Sequence, residues 1–75
     1  MPRLKPISGM QLAKTFAKLG YAIDHQTGSH LILRQKTEPF RRLTIPNHSV
    51  ISIGTLRAII RQSGLTREEF EKLLH

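Results

Sequence analysis

The chain contains no cysteine. That excludes disulfide cross-links, thiolate nucleophiles and Cys-ligated zinc, and it is compatible with a reducing compartment. No apolar run approaches the ~20 residues of a membrane span, and no signal-peptide pattern precedes the first helical segment. The sequence therefore predicts a cytoplasmic protein with no membrane association. No Gly-rich phosphate loop, Ser/His/Asp arrangement or pair of catalytic carboxylates is present. Internal repeats, low-complexity segments and linkers are absent as well. The 75 residues make one domain, 1–75, and a chain this short buries only about 60% of the surface its unfolded form exposes. A deep two-domain cleft or a dinucleotide fold does not fit in it.

Acidic residues are also few, 5 against 12 Lys and Arg, for a formal charge of +7. Three of the five, Glu68, Glu69 and Glu71, crowd the C-terminus. Residues 1–67 hold eleven Lys and Arg against Asp24 and Glu38, a balance of +9. A basic excess of that density is the electrostatic footprint of a nucleic-acid binder. The plain alternative is a well-solvated surface.

Local signals divide the chain into short elements. Residues 1–7, with Pro2 and Pro6, read as an extended arm. Ser8 and Gln11 have capping-box spacing, and Leu12, Phe16 and Leu19 follow at i, i+4, i+7, which predicts an amphipathic helix ended by Gly20. Tyr21, Ile23 and His25 alternate with Ala22 and Asp24, as in a half-buried strand. After a turn at Gln26-Thr27-Gly28, residues 29–35 read as a second strand. Residues 40–45 read as a third, stopped by Pro46. Ser52 caps a helix through Ser63, with Leu56, Ile59 and Ile60 on its buried side and Gly64 at its end. Thr66 and Glu69 repeat the capping-box spacing for a short last helix carrying Phe70, Leu73 and Leu74. The order α-β-β-β-α, plus a terminal helix, predicts an α+β domain: a three-stranded antiparallel sheet with both main helices on one face.

The candidate chemistry lies on the second strand. Histidine exchanges protons near neutral pH without special tuning. Leu31 and Leu33 share one face of that strand, and His30, Ile32 and Arg34 share the other. If the helices cover the leucines, His30 and Arg34 stand on the open side, and Arg42 of the third strand joins them. Ile32 runs against this pattern, because an apolar residue there wants cover. A phosphodiester on that face meets an imidazole and cationic donors, which is what metal-free RNA cleavage needs. The ordinary alternative for His30 is a surface strand residue. His48 follows the third strand and can reach the same end of the sheet. His25 reads as a partly exposed strand residue, and the terminal His75 is uninformative. The spacings of His25, His30 and His48 match no metal-ligand pattern, so neither a metal nor a cofactor is expected. Gly54-Thr55-Leu56-Arg57 opens a helix whose free N–H groups suit a phosphate, or is plain capping.

Ser8-Gly9, Leu19-Gly20-Tyr21, Gly28-Ser29-His30, Thr44-Ile45-Pro46-Asn47-His48, Gly54-Thr55-Leu56-Arg57 and Ser63-Gly64-Leu65 occur in this order. Together they resemble the HicA family of toxins, over about residues 8–70. The resemblance implies a fold like the double-stranded-RNA-binding domain and a metal-independent ribonuclease that cleaves messenger RNA. It also implies a HicB-like antitoxin partner that occludes the active face. In that family the histidine of the G-S-H motif is catalytic, which maps onto His30. On this reading His30 acts as general base, or as base and then acid; Arg34, Lys36, Arg41 and Arg42 hold phosphates, Gly28 and Ser29 shape the turn, and His48 stands at the RNA-binding end. The alternative is a binding module of the same shape that coats RNA without cutting it. A helix-turn-helix reading is weakened by the acidic last helix, which repels DNA.

Overall fold

A computed structural model describes residues 6–74. Most of the expected arm lies outside the described residues, as does His75. The elements run α1 (Gly9–Ala17), β1 (Tyr21–Gln26), β2 (His30–Gln35), β3 (Arg42–Pro46), α2 (Ile53–Ser63) and α3 (Arg67–Leu73).

Each helix begins where its capping residue allows. The Ser8 side chain accepts from Gln11 N–H at 3.1 Å while Gln11 Oε1 accepts from Ser8 N–H at 3.1 Å. Thr66 and Glu69 repeat the exchange at α3, and Ser52 caps α2 through Thr55 N–H. Such reciprocal caps satisfy amide groups that a helix start leaves unpaired. Gly64 ends α2 with φ +81°, a left-handed conformation that glycine adopts without a Cβ penalty. Helix α1 stops at Ala17, earlier than its apolar spacing predicts, so Leu19 lies in the turn that follows and is 36% exposed.

The sheet is antiparallel with order β1-β2-β3. Leu31, Leu33, Leu43 and Ile45 point to one face and are fully or almost fully buried, together with Leu12 and Phe16 of α1 and Leu56, Ile59 and Ile60 of α2. Both main helices thus cover the same face, as expected. Phe16 stacks edge-on against Tyr21 at 5.4 Å between ring centroids and packs against Phe70 at 5.9 Å, which ties α3 to α1. Aromatic pairs of this kind add roughly 0.5–1.5 kcal/mol beyond the area they bury.

Two departures from the sequence pattern matter for the open face. Strand β3 starts at Arg42 rather than residue 40, because Phe40 takes φ +56° and cannot extend the strand. In β1 the pairing with β2 shifts between Ile23 and His25: Ile23 faces Leu33, His25 faces Ile32, and Asp24 is left without a cross-strand partner. This is a β-bulge, one extra residue that reverses the alternation beyond it.

Candidate active site

Among the described residues, no helix lies on the second face of the sheet. His30, Ile32 and Arg34 of β2 stand there, opposite Pro46, Thr44 and Arg42 of β3 respectively. All are exposed except Ile32 and Pro46, which are half-buried.

His30 is held by its own turn. Its N–H donates to Thr27 Oγ1 at 3.0 Å, and its carbonyl accepts from Thr27 N–H at 2.9 Å. The ring is oriented by Ser29, whose Oγ lies 3.2 Å from His30 Nδ1. The Asn47 N–H donates to the Ser29 carbonyl at 2.9 Å, which brings the Pro46-Asn47-His48 segment to the same end of the sheet. That segment is clamped from its other side. The Gly9 N–H donates to the His48 carbonyl at 2.9 Å, and a Cβ on Gly9 would collide with the Pro46 carbonyl oxygen. Gly9 is therefore required by close backbone approach, and His48 stands exposed just beyond Pro46.

Gly28 has no such constraint. Its φ is not in the left-handed region, and a Cβ there would meet nothing within 4 Å. The N–H groups of Gly28 and Ser29 donate no hydrogen bond among the described residues. The turn thus presents free N–H donors in open space beside the imidazole.

The cations fall into two sets. Arg34 and Arg42 are paired across the strands on the open face, and neither makes an ion pair; among the described residues the one ion pair is Arg67–Glu71. At ~3.3 Å per strand residue, the backbone of Arg34 lies roughly 13 Å from that of His30. The arginines line the track of the strands and do not crowd the imidazole. Lys36 lies further along, past the end of β2, exposed. Arg41 is directed elsewhere: its guanidinium donates to the Gln62 carbonyl at 3.5 Å and lies 3.2 Å from where a Gly64 Cβ would be. It caps the C-terminus of α2, where a cation is favoured, and does not join the open face. Arg57, Ile60, Arg61, Leu65 and Arg67 line a shallow groove on the helical side that shares no residue with the sheet face. The Gly54-Thr55-Leu56-Arg57 helix start is capped by Ser52 and also lies away from it.

His25 is the residue that alternation misplaces. Strict period two puts it with Tyr21 and Ile23. The bulge turns it to the Ile32 side, so it joins His30 on the open face. Asp24, which cannot pair, marks the bulge only once the partner strand is known.

A small α+β domain of the double-stranded-RNA-binding-domain-like class, with one uncovered basic sheet face, is what these elements define. Over residues 9–65 the chain matches the family model described as HicA toxin of bacterial toxin–antitoxin, and it belongs to that family. No curated protein matches the chain significantly. Among the described residues, no helix is long and apolar enough to cross a membrane.

Proposed function

We propose that this toxin is a metal-independent endoribonuclease that cuts messenger RNA with His30 as general base. The observation that carries the reading is an exposed, turn-anchored imidazole on the same uncovered sheet face as two unpaired arginines. His30 Nε2 removes the proton of a ribose 2′-OH. The 2′-oxygen then bonds to phosphorus and the P–O5′ bond breaks, leaving a 2′,3′-cyclic phosphate and a 5′-hydroxyl. For Nε2 to be the base, Nδ1 must carry the ring proton and donate it to Ser29 Oγ, 3.2 Å away. The free N–H groups of Gly28 and Ser29, in the turn that precedes His30, donate to the charge that builds on the phosphoryl oxygens. Arg34 and Arg42 hold phosphates further along the strand.

A free ribonuclease of this kind poisons its own cell, and membership of a toxin–antitoxin family implies a protein inhibitor. We infer a HicB-like antitoxin, acidic on its contact surface, that covers the open face.

The test is cleavage of an RNA oligomer in excess EDTA, with an all-DNA oligomer beside it. RNA cutting should persist, the products should carry a cyclic phosphate, and the DNA should survive because it lacks the nucleophile. Cutting both polymers equally, or losing all activity in chelator, rules the mechanism out. His30→Ala should abolish cleavage while leaving thermal stability nearly unchanged, since exposed substitutions usually act within about ±0.5 kcal/mol.

A further inference from the structure

We infer that His25 is the general acid that protonates the departing 5′-oxygen. The inference rests on the ribonuclease reading above and supplies the proton donor that reading lacks. The balance is simple. One proton leaves the 2′-OH for His30, and one must reach O5′ as the P–O5′ bond breaks. A single imidazole cannot be both empty and loaded at that moment, so a second donor near the same phosphate is needed.

The sheet register selects His25. It faces Ile32, and His30 is two residues before Ile32 on the same strand, so the two histidines are diagonal neighbours on adjacent strands. Diagonal pairs are about 7–8 Å apart along the sheet, a span that long side chains bridge and that leaves room for a phosphoryl group between two imidazoles. Both side chains are exposed. Arg34 and Arg42 are too far along the strands for this task, and a guanidinium does not give up its proton. The groups facing His25 are Asp24 beside it in the bulge, His30 and Arg34 on the two diagonals of β2, and Thr44 and Arg42 beyond them on β3. No helix among the described residues covers this face. His48 is the competitor, but it stands past the end of the strands, on a segment clamped to α1.

The experiment compares ordinary RNA with RNA whose scissile 5′-oxygen is replaced by sulfur, a leaving group that departs without a proton. His25→Ala should slow cleavage of ordinary RNA by about 10²-fold or more. On the sulfur substrate it should run within a few-fold of the wild type, whereas His30→Ala should be slow on both. The pH–rate profile of His25→Ala on ordinary RNA should lose its alkaline limb. Binding of an RNA with one 2′-deoxy nucleotide at the cleavage site should be unaltered, which separates acid catalysis from phosphate contact. Equal loss on both substrates, no loss on either, or sulfur rescue of His48→Ala instead would overturn the assignment of His25. If the wild type cleaves neither RNA, the ribonuclease reading itself fails and the acid role falls with it.

Discussion

Arg34 and Arg42 face each other directly across β2 and β3, two like charges in register with no carboxylate between them. Like charges in that position destabilise a sheet, by up to about 1 kcal/mol. A polyanion laid along the strands would offset that cost. Changing either residue to Ala should leave stability equal or slightly higher in urea titration. The same change should weaken RNA binding across sequences, with the log–log salt slope falling by ~0.7 for each lost contact on a single strand. An unchanged slope in both variants would move the RNA path off the sheet, toward Arg57 and Arg61 on the helical side.

Gly9 is where α1 meets the end of β3. A Cβ there has nowhere to go, because the obstacle is the Pro46 backbone and not a flexible side chain. Gly9→Ala should therefore cost about 1–3 kcal/mol, the usual cost of overpacking, although alanine is the better helix former. Gly54→Ala, at a helix position with open space around it, provides the contrast and should be neutral or stabilising. Denaturant midpoints of the two variants check this. A neutral Gly9→Ala would show that the Pro46-Asn47-His48 segment yields freely, against the clamped arrangement described above.

Tyr21 is buried, and its hydroxyl has no hydrogen-bond partner among the described residues. Burial pushes its pKa above the ordinary tyrosine value, with the nearby Arg41 cation opposing more weakly. Leaving a polar group buried and unpaired costs roughly 1–3 kcal/mol. Tyr21→Phe keeps the ring packed on Phe16 and removes that cost, so it should raise stability by about 1 kcal/mol. The sign of the pH effect follows from linkage. The unfolded chain releases the tyrosine proton first, so wild-type stability falls as pH rises past the ordinary tyrosine value. Tyr21→Phe should remove that component of the alkaline decline. Thermal melts of both proteins from neutral to alkaline pH test it, and a less stable Phe variant would reveal a partner for the hydroxyl.

The antitoxin prediction concerns location. If His30 carries the chemistry and Arg34 and Arg42 the RNA binding, an inhibitor that blocks both covers all three. Hydrogen exchange of the free and bound toxin should show new protection in residues 28–34 and 42–48. Association should slow steeply with added salt, since charge attraction sets the encounter rate. Protection confined to α3 would mean that the inhibitor acts without occluding the face.

The helices were legible in the sequence because their determinants are local. Ser8 with Gln11, Ser52, and Thr66 with Glu69 fix three starts within one turn each, and the apolar spacings of Leu12 with Phe16 and Leu56 with Ile59 and Ile60 fix which sides are buried. The placement of His30, Arg34 and Arg42 on a common face followed from period two along β2 and β3, which pair without irregularity. What depended on contacts between distant residues was not legible. The bulge at Asp24 exists only in the pairing of β1 with β2, and it decides which face His25 joins. Arg41 looked equivalent to Arg42, but an odd step along the chain and the nearby end of α2 sent it to the Gln62 carbonyl. Gly9 and Gly28 looked alike as motif glycines, yet one is demanded by a carbonyl of β3 and the other is surrounded by space. The sequence by itself determined the elements and their buried sides, since capping and periodicity act over a few residues. Tertiary structure alone decided which histidines and arginines share a surface, since that depends on register, and register is a property of two strands together.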